Sequence, residues 1–389
     1  MKHEFHHAAG LLMTAFSGKG LLGIRFENTQ DSVAAIGAAW LAGIPFTVFP
    51  YAIEPDVELT EWPDVEPSPL PESHDPESVY AVVATSGTSG VPKQIHLRRR
   101  QMLEAAAASV RPDPGTGWLL ALPLHHVGGM SVVLRSVIYR TNVILQDAKT
   151  ALKTNKDVTV ASLVSTQLVR LLDDPDFRTH DRFKAILLGG GRIPASLIAS
   201  CRERNIPVIS SFGMTETNAQ IVSVPLDAWR TAPEGTCGKV MGSNVARIRE
   251  GLLELKGPQL GTPDAWFQTG DYARMDADGW MYIETRRTDR IVTGGENVDP
   301  EPVEEALKRI PGVHDAAVVG VDDEVWGQRV VGVLVADETL TDVDLQHILK
   351  SHIPKFSIPK EFRRVPILPR TSNGKLKRAE IRELWLNQR

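Results

Sequence analysis

The segment Thr85-Ser86-Gly87-Thr88-Ser89-Gly90-Val91-Pro92-Lys93 gathers hydroxyls, two glycines and a closing lysine directly after an apolar run that reads as a strand over Val79 to Ala84. Glycine lets the backbone approach a polyanion, successive amides can form an anion-binding nest, and hydroxyls with a lysine add donors to phosphate oxygens. It is not the GxxxxGK[ST] loop, because the chain's Gly-Lys pairs, such as Gly238-Lys239 and Gly374-Lys375, are followed by residues such as Val240 and Leu376 and not by Ser or Thr. Nor does Gly115-x-Gly117 open a dinucleotide fingerprint, since Leu120 stands where the third glycine is needed. The plain alternative for this loop is a flexible surface turn.

Five further clusters suit a nucleotide and a second anion. Ser211-Phe212-Gly213-Met214-Thr215-Glu216-Thr217 follows a predicted parallel strand, the end of an open α/β sheet where ligands bind. Glu216 there has the hard oxygen ligand that Mg²⁺ takes, with Thr215 as a neighbouring hydroxyl; a helix N-cap with an acidic first turn competes. Gly189-Gly190-Gly191 would leave bare backbone for a flat base, and Asp271 in Thr269-Gly270-Asp271 could accept from ribose hydroxyls; both patterns also occur as simple turns. His125-His126 has no third ligand at metal spacing, so a substrate-contacting histidine competes with a core one. Finally, Asn373-Gly374 turns the chain just before Lys375, a lysine that could reach over another domain or be one more solvated cation in a basic tail.

The elements that position these groups alternate between strands and helices over the first two thirds of the chain, which predicts α/β layers on a largely parallel sheet. Ala185 to Leu188, Pro194 to Arg204 and Val208 to Ser211 read as one βαβ unit, and Asp278-Gly279 as the turn of a hairpin within Arg274 to Glu284. Glu54 to Ser78, with six prolines, nine acidic residues and no Lys or Arg, reads as an exposed connector. Charge marks a boundary near Arg287: Asp289 to Leu349 has 4 basic and 14 acidic residues, and Lys350 to Arg389 has 11 and 3.

Composition excludes several classes. A formal charge of -5 over 389 residues offers no general attraction to nucleic acid or anionic membrane. Two cysteines, Cys201 and Cys237, build no disulfide framework and suit a reducing cytoplasm. The charge-free runs Ser32 to Ile53 and Pro114 to Leu134 are broken by glycines and prolines, so buried soluble elements are expected instead of membrane spans. The apolar Ala8 to Phe16 is expected to be a first helix, not a secretory signal.

Taken in order, TSGTSGVPK, LPLHH, GGG, SFGMTET, TGD, ETRRTDRIVTGGENVDPEPVEEAL and PRTSNGK resemble the ANL superfamily of adenylate-forming enzymes, over most of the chain from Val79 onward. The resemblance implies an α/β fold: a large N-terminal domain of layered sheets plus a small antiparallel barrel (1–287), and a small mobile α+β domain (288–389) that carries the catalytic lysine. It also implies ATP, Mg²⁺ and the co-substrate CoA, with a small carboxylic acid as partner and a homodimer as a candidate assembly.

By the same resemblance, Thr85, Ser86, Gly87, Thr88, Ser89, Gly90 and Lys93 hold the ATP phosphates, with Thr215 and Gly213 beside them. Gly190 and Phe212 cover adenine, Asp271 and Arg286 bind ribose, Glu216 holds Mg²⁺, and Lys375 bridges the acid and the α-phosphate. His126, Gly189 and Ser211 border the acid. Phe212 replaces the usual Tyr, Thr285 the usual Gly, and Thr288 stands at the hinge. The short N-terminal region and HHVGGMSVVLRSVIYRTNVIL are similar to compact o-succinylbenzoate-CoA ligases of menaquinone biosynthesis. Their substrate has a second carboxylate, for which Arg135 and Arg140 are the nearest basic residues. Other aryl- or fatty-acid ligases, and a catalytically dead relative, are the alternatives. Loss of activity would be expected to strike one of Lys93, Glu216, Asp271 and Lys375, and all four are present.

Overall fold

The computed structural model describes residues 2–16, 18–26, 29–48, 55–61, 63, 65, 74–85, 93–191, 193–286, 289–293, 296–323, 326–371 and 374–387. The chain divides into two compact units. The first comprises Met1–Arg247, Glu254–Phe267 and Met275–Tyr282, and the second Ile248–Leu253, Gln268–Arg274 and Ile283–Arg389.

The first unit opens with α1 (Lys2–Phe16), β1 (Leu22–Ile24), α2 (Thr29–Ala42), β2 (Phe46–Val48), β3 (Val57–Leu59), β4 (Val79–Thr85), β5 (Lys93–Arg98) and α3 (Arg99–Ala108). Its strands make a sheet in the order β3-β1-β2-β4-β5, parallel except for the antiparallel β4–β5 pair. The acidic stretch expected to be only a connector therefore contributes β3. Its Val57-Glu58-Leu59 has the alternating pattern that lets Leu59 face the core, and it pairs with β1 in register Leu22↔Val57.

A second sheet follows from β6 (Gly117–Leu120), α4 (Val127–Tyr139), β7 (Asn142–Ile144), α5 (Ala148–Thr154), β8 (Val158–Leu163), α6 (Ser165–Leu172), β9 (Ala185–Leu188), α7 (Ala195–Glu203), β10 (Val208–Met214), β11 (Ala219–Ser223) and β12 (Lys239–Val240). Its order is β12-β11-β10-β9-β8-β6-β7, with β7 through β10 parallel and the last two strands antiparallel. The runs AILL and VTVASL are buried along their whole length, as strands covered on both faces must be.

The helix α4 shares a core with α1, α2 and the first sheet, and it is buried without interruption from Gly129 to Ser136. A helix covered all round needs no polar face, which is why its sequence resembles a membrane segment. At 13 residues it is too short to cross a bilayer, and no described helix is long and apolar enough to do so.

Four consecutive strands, β13 (Val245–Arg249), β14 (Leu252–Lys256), β15 (Phe267–Met275) and β16 (Met281–Arg286), form a meander in the place of the expected small barrel. The β15–β16 hairpin turns at the expected Asp278-Gly279, where Gly279 takes a φ of +81°. In β13–β14 the two linking residues, Glu250 and Gly251, both have positive φ, the backbone that a two-residue hairpin requires.

The second unit is built on β17 (Ile291–Thr293), β18 (Glu296–Val298), α8 (Pro300–Lys308), β19 (Val313–Asp323), β20 (Gly327–Ala336), α9 (Asp342–Leu349), β21 (Phe362–Arg364) and α10 (Arg378–Asn387). Successive residues of β19 face opposite ways. Ala316 and Val318 pack with Val303 and Leu307 of α8 and Leu345 of α9, while Ala317, Val319 and Val321 pack with Ile381 and Trp385 of α10. Helices on both faces explain the continuous apolar run AAVVGV.

One contact tests the packing that precedes the His pair. A Cβ on Gly129 of α4 would lie 2.3 Å from the Pro123 carbonyl oxygen, and backbone cannot swing away as a side chain can. Gly129→Ala should therefore lower the unfolding free energy by about 1 to 3 kcal/mol despite alanine's better helix propensity. Urea denaturation followed by circular dichroism is the measurement; equal or greater stability would show that the loop and α4 separate easily.

Candidate active site

In the first unit the parallel sheet brings the glycine turn and the SFGMTET segment together. Ser210 pairs with Leu188 across β10–β9, so the next residues on each chain, Gly189-Gly190 and Ser211-Phe212, leave the same sheet edge side by side. Ser211 donates to the Leu188 carbonyl at 3.0 Å, and a Cβ on Gly189 would lie 2.8 Å from Ser211 Oγ, so only glycine fits there without displacing the serine. Gly190 has a φ of +81°, the left-handed region that favours glycine. The sheet edge thus offers backbone on one side and the half-buried Phe212 ring on the other.

β10 runs further than expected, through Met214, because β11 returns antiparallel along it with a register shift between Phe212 and Gly213. A Cβ on Gly213 would lie 1.8 Å from the Ala219 carbonyl oxygen. Thr215, Glu216 and Thr217 form a single 3-10 turn, so there is no long helix for Glu216 to cap. Thr217 Oγ1 accepts the Met214 N–H at 2.9 Å and donates to the Ala219 carbonyl at 2.7 Å, closing the turn on itself.

Glu216 is half-buried, with no ion pair or side-chain hydrogen bond among the described residues. A lone carboxylate suits Mg²⁺, which keeps most of its shell as water and substrate phosphate, and no described group of three acidic, His or Cys side chains forms a complete cage.

The two ends of the glycine-hydroxyl loop are held together: Thr85 pairs with Lys93 at the open end of β4–β5, making the loop a hairpin connection. Ser86, Gly87, Thr88, Ser89 and Gly90 lie outside the described residues. His126 is the residue before α4; its carbonyl accepts the Met130 N–H at 3.1 Å and its ring lies 4.2 Å from that of His125. Burial holds the His125 imidazole below its ordinary pKa, favouring the neutral ring.

The two arginines expected near the acid part company. Arg140 is exposed at the far end of α4, in the left-handed conformation that stops the helix, so 14 residues at 1.5 Å each put it about 20 Å from His126. Arg135 is 2% exposed, lies over the Trp118 ring at 5.5 Å, and has neither Nε nor Nη2 paired. Burial brings its pKa down to about 10, and no carboxylate among the described residues opposes it.

In the second unit Asp271 is 4% exposed on β15, its N–H donating to Thr269 Oγ1 at 3.1 Å while Thr269 donates to the Leu253 carbonyl at 3.0 Å. Arg286 ends the neighbouring β16; its side chain lies outside the described residues. Lys375 is exposed on a narrow loop: Gly374 and Lys375 donate backbone N–H groups to Thr371, whose own N–H returns to the Lys375 carbonyl at 2.8 Å. Arg370 fastens that loop. It donates to the Gly374 carbonyl at 2.7 Å and to both oxygens of Asp315 on β19, at 2.9 and 2.7 Å. Sequence reasoning gave Arg370 no role, although it stands inside the motif. The Asp315 partner is 55 residues away, and nothing local announces it.

The layered α/β unit and the separate C-terminal unit are the architecture of an adenylate-forming enzyme. Residues 47–259 match the family model of AMP-binding enzymes, and residues 302–375 that of the AMP-binding enzyme C-terminal domain; the chain belongs to this family. It is 34% identical to 2-succinylbenzoate–CoA ligase of Listeria monocytogenes, over 82% of this chain and 73% of the relative. Two structures of o-succinylbenzoate CoA synthetase from Bacillus subtilis are close. The complex with the acyl-adenylate intermediate superposes with a TM-score of 0.85 at 26% identity, covering 97% of this chain and 91% of the other. The complex with ATP and magnesium ion gives 0.84 at 27%, covering 97% and 92%.

Arg370→Ala should leave the second unit folded but release the lysine loop, slowing acyl-adenylate formation about tenfold or more; a bidentate arginine contact supplies geometry as well as energy. Pyrophosphate release on the variant and on Asp315→Asn checks this. Wild-type rates in both would show that the loop holds its shape without the arginine.

Proposed function

We propose that the protein is an ATP-dependent, AMP-forming acid-CoA ligase that converts o-succinylbenzoate to o-succinylbenzoyl-CoA in menaquinone biosynthesis. The observation that carries this reading is family membership together with 34% identity to a 2-succinylbenzoate–CoA ligase. In the first step a substrate carboxylate oxygen attacks the α-phosphorus of ATP and pyrophosphate leaves; in the second the CoA thiol attacks the acyl carbon and AMP leaves. No protein nucleophile takes part, so the side chains position anions and offset charge.

Gly190 and Phe212 sandwich the base, Asp271 and Arg286 take the ribose, and Thr85 to Lys93, with Gly213 and Thr215, receive the phosphates. Glu216 would hold Mg²⁺, which when bound offsets phosphate charge. His126, Gly189 and Ser211 border the acid. Lys375 approaches from a C-terminal domain, residues 288–389, that moves relative to residues 1–287 about Thr288. The separate family match over residues 302–375 supports that division.

Arg135 anchors the second carboxylate. A cation taken from water is costly unless paired, and its two unpaired donors are what a carboxylate would satisfy. Arg140, at the opposite helix end, has no such role. Both cysteines are unbridged, with burial pushing the Cys201 thiol up to about 12, in keeping with a cytoplasmic enzyme. The partners are the acid, ATP and CoA, with no nucleic acid; a homodimer is the proposed assembly.

A panel of o-succinylbenzoate, benzoate, salicylate and medium-chain fatty acids, assayed for pyrophosphate release with and without CoA, tests the substrate. Only o-succinylbenzoate should turn over efficiently. Arg135→Leu should raise its KM roughly 10- to 150-fold with little change for ATP, and Arg140→Leu should do nothing. Preference for a monocarboxylic acid would instead identify another aryl- or fatty-acid ligase.

Lys375→Ala should nearly abolish adenylate formation yet still convert synthetic acyl-adenylate and CoA to thioester. Equal loss of both half-reactions would contradict the alternating-domain account.

A further inference from the structure

Two residues after Glu216 the backbone takes a conformation that side chains resist. Asn218 and Ala219 have φ of +53° and +71°, consecutive non-glycine residues in the left-handed region. Asn tolerates this; Ala has no side chain with which to compensate. Such strain persists only where the surroundings over-determine it, and it concentrates at functional sites.

Two buried glutamines supply the determination. Gln101 of α3 is 1% exposed, and its Nε2 donates to the carbonyls of Glu216 (3.2 Å) and Gln259 (3.1 Å). Gln259 is 0% exposed, and its Nε2 donates to the carbonyls of Thr217 (2.7 Å) and Gln220. A primary amide has two N–H donors, so each glutamine spends its full donor capacity on backbone carbonyls, Gln259 on those of Thr217 and Gln220 and Gln101 on those of Glu216 and Gln259. Their oxygens are also used: Gln101 Oε1 accepts the Arg98 N–H at 2.9 Å, and Gln259 Oε1 accepts from Asn244 Nδ2 at 3.2 Å. Asn244 Oδ1 in turn accepts the Gln259 N–H at 3.1 Å, and Tyr80 donates its hydroxyl proton to Asn218 Oδ1. The strained turn is held on both sides of its positive-φ residues by a fully paired buried network, the condition under which polar groups rigidify an interior.

We propose that Gln259 and Gln101 are positioning residues for the metal-bound nucleotide: they hold the Thr215–Ala219 turn so that the Glu216 carboxylate is preset toward Mg²⁺. This rests on the reading of Glu216 given above. Neither glutamine touches substrate in this account; each acts through the carbonyls of the turn.

Gln259→Met keeps the side-chain volume and removes both donors. In the nucleotide-free protein, amide hydrogen exchange at Asn218 and Gln220 should accelerate at least tenfold, while amides of β9 stay within twofold. Calorimetric titration with ATP and Mg²⁺ should show binding weakened at least fivefold. Gln101→Glu, which keeps the acceptor for Arg98 but sets oxygen against two carbonyls, should act the same way and serves if Gln259→Met does not fold. Glu216→Gln is the control: it should weaken binding of ATP with Mg²⁺ without altering exchange in the turn. Unchanged exchange, or faster exchange with unchanged nucleotide binding, in the glutamine variants would overturn the proposal while leaving the metal role of Glu216 standing. Unchanged binding in Glu216→Gln would overturn that role, and the proposal with it.

Discussion

The turn from β10 into β11 is the constraint around which the strand ends of the first unit's second sheet are arranged. Three requirements meet there: β11 must return along β10, the Ala219 carbonyl must pass within contact of residue 213, and two residues without glycine's freedom must take positive φ. Gly213 answers the second, and the hydrogen bonds of Thr217 together with the buried amides answer the third. Because β10 is also the strand paired with β9, the same turn sets where Phe212 stands relative to Gly190. A carboxylate, an aromatic face and bare backbone therefore share one rigid origin.

Charge is the second organising influence. The chain is slightly acidic overall, yet its function calls for two anions to meet. Three cations stand in or beside the motifs: Lys93 is at the mouth of the hairpin loop, Arg135 is buried with Nε and Nη2 unpaired, and Lys375 is exposed on a narrow loop. Other arginines are spent on structure. Arg378 is paired with the buried Glu304 and reaches the Val318 carbonyl, joining α10 to α8 and β19; Arg290 makes a bidentate pair with Asp299 and lies over the Tyr272 ring. The contrast between paired and unpaired buried guanidinium groups separates the two kinds of role more sharply than exposure does.

Much of this organisation is local and can be read from the chain. Alternating strand and helix patterns foretell layered sheets, Asp278-Gly279 the hairpin, and the apolar run Ala185 to Leu188 a buried strand, because period and turn chemistry act over a few neighbours. The glycine-hydroxyl loop, the Glu216 segment, the glycine turn and the lysine loop stand out as motifs for the same reason: each is a short run of distinctive residue types, and their order along the chain places them in a family.

What tertiary structure decided is every relation that depends on distant partners. A three-residue strand, β3, arises inside an acidic, proline-rich stretch because the edge of β1 was open to pair. Arg135 and Arg140 look equivalent in sequence, but helix packing buries one against Trp118 and leaves the other exposed at the helix end. Gln101 and Gln259 are separated by 158 residues and have no charge, motif or periodicity to mark them; only the packed interior makes their four donors meet the carbonyls they serve. Local pattern specifies which group a segment can present, whereas its burial, pairing and aim are set by the long-range contacts that enclose it.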